Sequence, residues 1–287
     1  MNKYILAGMI TTAVFCLSAL RKKDDFSPAI GVCTAPDKAS MLKEGGYDYI
    51  EAGVGNLLVP AEPEEVFEQK LALIRAAGIP VYACNSFIPG TLKSVGPEAV
   101  HDSILRYAEI AFRRAQKAGV RTIVFGSGAS RRCPEGFDKK KAVEQFVTLL
   151  KKMSPVAAKY NVVISIEVLN SRETNLINRL AEGVEVVKAV NHPNCRLLAD
   201  FYHMAVEGDA PEEIIKAGKY LYHCHIGEKE KRTVPGIMGD DFTPYFKALR
   251  KIKYKGNISV EADWGNDMKK QLPLTLEVIK QQIASSK

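Results

Sequence analysis

From Ala29 onward, short apolar runs alternate with segments of helical period. The runs 29–34, 47–52, 80–85, 121–126, 162–168, 196–200, 220–226 and 258–261 are mostly continuous rather than alternating in polarity. That pattern predicts parallel strands covered on both faces. Between them, Ile104, Leu105, Ala108, Ala111, Phe112 and Ala115 fall on one face of a helix over 103–118. Val143, Phe146, Leu149, Leu150, Met153 and Ala157 do the same over 141–160. Pro155 falls inside that second pattern and is expected to kink or end the helix. Gly46, Gly78, Gly119, Gly218 and Gly256 each stand between a helical pattern and the next strand. A left-handed residue closes a helix there, and glycine takes that conformation without a Cβ penalty. Eight such βα units predict an α/β fold, a single (β/α)8 TIM barrel. A doubly wound sheet is the competitor, but no Gly-x-Gly-x-x-Gly follows the first strand.

One segment lies outside the repeat. Residues 4–20 are apolar and uncharged, with Lys3 before them and Arg21, Lys22 and Lys23 after. A signal peptide or anchor region over 1–24 is therefore expected, followed by one catalytic barrel over 25–287. Lipidation at Cys16 is disfavoured by the bulky Phe15 before it, and a spurious upstream start is the remaining option. The segment predicts export in a bacterium, to the periplasm or to a membrane held only by this segment if it is uncleaved.

Composition changes the picture little. Of 287 residues, 46% are hydrophobic and 25% charged, which excludes a collagen, a disordered chain and a small disulfide scaffold. Forty basic against 33 acidic residues give +7, but the excess is spread and no nucleic-acid motif accompanies it. Nucleic acid is not an expected partner. Outside the leader, Cys33, Cys84, Cys133, Cys195 and Cys224 form an odd set, mostly in or beside apolar runs, and read as free buried thiols. No Cys-x-x-Cys marks a structural zinc.

The ends of the strands carry the chemistry in a barrel. The fifth run leads into Glu167, the sixth into Asp200, the seventh into His223-Cys224-His225 and the eighth into Glu261. Their spacing of about one βα unit each brings Glu167, Asp200, His225 and Glu261 to one mouth. Charges at the ends of buried runs must be paired or bind a metal. Three carboxylates and an imidazole form a hard set that suits one divalent ion, Mn²⁺ foremost, with Mg²⁺, Co²⁺ or Zn²⁺ as alternatives. His223 reads as a core residue that orients a ligand, and Asn85 as lining the pocket. Gly126-Ser127-Gly128 reads as a plain turn.

Glu after the fifth strand, Asp-x-x-His after the sixth, His-x-Gly-Glu after the seventh and Glu after the eighth resemble the xylose-isomerase-like sugar isomerases and epimerases. The likeness is closest to the ketose 3-epimerases acting on D-tagatose and D-psicose. The resemblance implies a metal quartet at Glu167, Asp200, His225 and Glu261, and substrate contacts at Glu173 and His203. It also implies a basic residue after the seventh strand. Here one extra residue separates Glu228 from Arg232, so Lys231 and Arg232 both stand for that role. Trp264, the only tryptophan, could stack on a sugar or pack in the core. The implied reaction is proton transfer at the carbon next to a carbonyl of a free sugar or keto-sugar, through a metal-bound enediolate. Glu167 and Glu261 would serve as the two-faced acid and base. A hydroxypyruvate isomerase, an inosose or dehydroshikimate dehydratase, or a 3-keto-sugar enzyme would use the same ligands. An inactive sugar-binding barrel would need neither proton-transfer carboxylate. A homo-oligomer fits the family, though no interface pattern marks one.

Overall fold

The computed structural model of the protein describes residues 26–287. The expected leader over 1–24 lies outside them. No helix among the described residues is long and apolar enough to cross a membrane.

Eight parallel strands close into a barrel in chain order. They are β1 (Ile30–Cys33), β2 (Tyr49–Gly53), β3 (Val81–Asn85), β4 (Thr122–Phe125), β5 (Val163–Glu167), β6 (Cys195–Asp200), β7 (Leu221–Ile226) and β8 (Asn257–Val260). β8 pairs back onto β1 with Gly31 opposite Ser259. Each boundary lies within two residues of the run expected from the sequence. Eleven α-helices are described around them: α1 (Ala39–Glu44), α2 (Val54–Leu57), α3 (Glu64–Ala77), α4 (His101–Ala118), α5 (Gly128–Arg131), α6 (Lys139–Lys159), α7 (Leu180–Val190), α8 (Phe201–Glu207), α9 (Glu212–Ala217), α10 (Thr243–Lys251) and α11 (Met268–Ser285).

Period-two alternation sorts each strand. Val32, Ile50, Ile123, Ile164, Ile166 and Ile258 are fully buried and belong to the core beneath the helices. The intervening positions point into the barrel, where Tyr49 meets Ser259 at 2.8 Å and Thr122 meets Ser165 at 2.8 Å. Two residues on along β5, β7 and β8, the inward positions are Glu167, His225 and Glu261. Asp200 joins them through its register opposite His225. One alternation thus builds both the closed barrel and the cluster at its mouth.

Two local expectations change. Pro155 neither ends nor divides α6. The carbonyl it leaves unbonded is that of Lys151, on the exposed face, where water can satisfy it. Gly46, Gly78 and Gly119 are left-handed as expected, but Gly218 turns into a short 3₁₀ segment and Gly256 has no positive φ. The left-handed residue after α10 is Lys253, and Gly256 is required for space, since a Cβ there would overlap the Tyr222 carbonyl. The five cysteines among the described residues are free, and four of them are buried.

Candidate active site

At the mouth, ligand atoms of Glu167, Asp200, His225 and Glu261 all lie within 4.8 Å of one another. His225 Nδ1 faces Glu167 Oε1 at 3.1 Å and Glu261 Oε2 at 2.8 Å. Its other nitrogen, Nε2, lies 3.0 Å from Glu51 Oε1. Burial alone would lower the basicity of His225, but the charges of Glu51 and Glu261 outweigh it and raise its pKa well above the ordinary value. Burial would likewise raise Glu261, yet His225 and Arg232 hold it down at about 2. Glu167 moves the other way, raised by burial and by the charge of Glu261. Glu51 is held well below the usual range, because His225 and His223 outweigh its burial.

The residues around the quartet complete the pocket. His203 Nδ1 accepts from the Asn170 backbone N–H at 3.2 Å, which leaves the proton on Nε2. That Nε2 is buried without a hydrogen-bond partner, 3.4 Å from Asp200 Oδ2 and 4.0 Å from Glu167 Oε1. Arg232 donates to Asp200 Oδ2 at 2.9 Å and Glu261 Oε2 at 2.6 Å, and its guanidinium lies over the Tyr202 ring. Glu173 Oε1 is 3.6 Å from the same guanidinium. Asn85 Nδ2 donates to Glu261 Oε1 at 3.1 Å. Glu167, Glu173, His203, Arg232, Glu261 and Asn85 all line one cavity of about 320 Å³.

The structure therefore brings together seven of the nine side chains read from the sequence as catalytic, metal-binding or substrate-binding. Lys231 is one exception. Lys231 and Arg232 both adopt left-handed φ, 54° and 51°, which absorbs the extra residue, turning Arg232 into the cluster and leaving Lys231 exposed. Trp264 is the other. It packs edge-on against Tyr47 with ring centres 6.5 Å apart, is 9% exposed, and lies outside the cavity lining, so its role is in the core.

Three residues of the site, Glu51, Arg131 and Asn170, are not found by reading strand ends, and the part played by Glu228, known there only as a motif residue, is not legible either. Glu51 lies inside the second apolar run, where a buried charge is the same signal that singles out Glu167. Arg131 is fully buried and donates to the carbonyls of Gly126, Glu167 and Leu176 at 2.6, 2.6 and 2.9 Å, tying β4 to β5 beneath Glu167. Its burial pushes its pKa down to about 10, which leaves it charged at neutral pH. Asn170 fixes the His203 tautomer as described. Glu228 accepts from the backbone N–H groups of Gly236, Met238 and Gly239 and from the Thr233 hydroxyl. Gly126 is more than a turn residue, since a Cβ there would overlap Glu167 Oε2.

These residues fit a hard divalent cation. Three carboxylates and one imidazole converge, and the remaining imidazole nitrogen is held by a carboxylate, the arrangement that orients metal-binding histidines. Cys33, 3.9 Å from His225 Nε2, is kept a neutral thiol by burial and by Glu51, so it adds no soft ligand.

Residues 40–282 match the family model of the xylose isomerase-like TIM barrel. A D-psicose 3-epimerase of Ruminiclostridium cellulolyticum is 38% identical over 125 residues, which cover 43% of this chain and 42% of that protein, less than half its length. A D-psicose 3-epimerase of Enterocloster bolteae is 29% identical over 237 residues, covering 78% of this chain and 74% of the relative. A solved D-psicose 3-epimerase with D-tagatose from Clostridium cellulolyticum shares the fold, with a TM-score of 0.76 at 23% identity over 89% of this chain and 99% of that one.

Proposed function

The chain belongs to the xylose isomerase-like TIM-barrel family, and from that premise we propose that it is a divalent-metal-dependent sugar epimerase. It inverts a free sugar or keto-sugar at the carbon next to the carbonyl, as its ketose 3-epimerase relatives suggest by name. One observation carries the reading: Glu167 and Glu261 line the same cavity and flank His225 Nδ1 at 3.1 and 2.8 Å. A binding barrel needs no such pair.

Glu167, Asp200, His225 and Glu261 would hold the ion, and Mn²⁺ is the ion this oxygen-rich set favours. A bound divalent ion supplies Lewis acidity toward the carbonyl and its neighbouring hydroxyl, lowering the barrier to breaking the adjacent C–H bond. The rest falls to side chains. One of Glu167 and Glu261 takes the proton from one face of the carbon, and the other returns a proton to the opposite face. One C–H bond breaks and one forms, so no redox partner is required. His203 Nε2–H is free to donate to the carbonyl end, while Arg232 and Glu173 hold hydroxyl groups. The apolar stretch at 4–20 supports export of the barrel.

Glu167→Gln and Glu261→Gln should each lower epimerisation by about 10³-fold or more, within the range of a lost proton-transfer group and weakened metal site. Circular dichroism should remain that of the parent. A variant that keeps a tenth or more of the activity removes that residue from the proposed role. Chelation should abolish activity and added Mn²⁺ restore it; activity that survives chelation contradicts the metal.

A further inference from the structure

Charge is not spread evenly along the barrel axis. The eight strands are parallel, so every linker from a helix into the next strand lies at the end opposite the mouth. Among the described residues these linkers hold Arg121, Lys219, Lys253 and Lys255 but a single acid, Asp48. The Asp48 carboxylate is already engaged, accepting from the Ile30 backbone N–H at 2.7 Å. The helix dipole accounts for bases in a last helical turn, such as Lys251 of α10, but its reach ends there and the linker cations lie beyond it. Lys219 precedes β7, and Lys251, Lys253 and Lys255 precede β8, the strand between β7 and β1. Lys219, Lys251 and Lys253 are exposed.

The amino-terminal stretch joins the barrel at this same end. Phe26, just before β1, is buried, with the Arg250 guanidinium over its ring at 4.8 Å. Arg250 donates in turn to Ser286 Oγ at 2.8 Å and to the Ile283 carbonyl at 2.9 Å, so the point of attachment is fixed to α10 and α11. Arg21, Lys22 and Lys23 come shortly before Phe26, within about 18 Å of even fully extended chain. Before them, residues 4–20 are apolar and uncharged, close to the shortest stretch that crosses a bilayer. Cations gathered around the place where an apolar stretch enters match anionic lipid headgroups. A nucleic acid would match the cations but not the apolar stretch.

We propose that the end of the barrel opposite the mouth docks on an anionic lipid surface, through Lys219, Lys251, Lys253 and the bases beside them. The carboxylate–histidine cluster then faces away from the lipid, and a sugar reaches it from the solvent. The contact is electrostatic between exposed charges, so it weakens with salt.

Lysine acetylation read by mass spectrometry tests this on the full chain, held in nanodiscs of phosphatidylcholine alone or with about one third phosphatidylglycerol. With phosphatidylglycerol, Lys219, Lys251 and Lys253 should label about fivefold more slowly, and Lys231 beside the mouth should not change. About 0.5 M NaCl should remove the difference. Equal labelling of the three lysines in both nanodiscs overturns the proposal, and so does equal protection of Lys231. Protection by an added RNA oligonucleotide but not by phosphatidylglycerol also overturns it, in favour of nucleic acid. In Lys251→Glu/Lys253→Glu, the protection of Lys219 should fall below about twofold. Protection of Lys219 that persists there shows that the tether alone brings this end to the lipid, and overturns the role of the basic surface.

Discussion

Glu51 is fully buried and serves three partners at once: His225 Nε2 at 3.0 Å, His223 Nε2 at 2.9 Å and Ser259 Oγ at 2.6 Å. It fixes the ring of His225 so that Nδ1 faces the other three ligands. Glu51→Gln is expected to weaken Mn²⁺ binding by about 10–100-fold, the usual cost of losing such a partner, in a calorimetric metal titration. Unchanged affinity would show that His225 is oriented by other means. Gly126→Ala should act on the same cluster from β4, because the new methyl displaces the Glu167 carboxylate. Why some of these residues can be read from sequence and others cannot is physical. Glu167, Asp200 and Glu261 stand out because each ends an apolar run, where an unpaired charge is too costly to be accidental. Glu51 carries the same signal one residue deeper in its run. Arg131 carries none, because it adjoins Arg132 in a polar turn. Only the carbonyls of Gly126 and Glu167, brought side by side by barrel closure, decide which arginine is buried.

The segment after β7 shows how one buried acid can shape an element. Glu228 gathers five donors from Thr233, Gly236, Met238, Gly239 and Asp240, closing the loop that carries Arg232. Glu228→Ala leaves those donors unpaired and frees the loop. The expected result is a raised KM with Mn²⁺ affinity retained, and an unchanged KM would show that Arg232 is placed without the clamp. On the outer ring, Glu64 of α3 accepts from Arg113 at 3.0 and 2.8 Å and from Arg114 at 3.0 Å, both on α4. The Arg113 bonds, then those of Arg114, lower the Glu64 pKa from 4.5 to about 2. A depressed folded-state pKa gives stability that is present above the unfolded value and lost as pH falls through the folded one. The Glu64→Gln defect in thermal midpoint, about 2 °C for a half-exposed pair, should therefore hold at pH 7 and vanish toward pH 2. A defect that grows on acidification would contradict the pairing. The strands are plain in the sequence because burial on both faces leaves long apolar runs. The closures after α9 and α10 are not, because Gly256 is selected by the nearby Tyr222 carbonyl rather than by its own dihedral angles.

Across the whole molecule, closure of the barrel gathers carboxylates from β5, β6, β8 and β2 around His225 and Arg232. The overall +7 has no bearing on this, since the proposed chemistry would rest on the acids at the mouth. A cation at the mouth relieves their repulsion, so folding and metal binding are linked. At about 100 times its dissociation constant, Mn²⁺ should add about 2.7 kcal/mol, or roughly 5–10 °C in thermal midpoint over the chelated protein. No shift with Mn²⁺, Mg²⁺ or Co²⁺ would leave the quartet without its ion. The order of the eight strands and the quartet at their ends are legible because both follow from repetition. The size of the cavity is not, because it depends on which loop positions lack side chains. The most direct measurement is the isotopic content of the product formed in D₂O by the Mn²⁺-loaded protein. Acid and base on opposite faces require the inverted product to carry one solvent deuterium at the carbon beside the carbonyl. Inverted product without solvent deuterium at that carbon would contradict the two-carboxylate account.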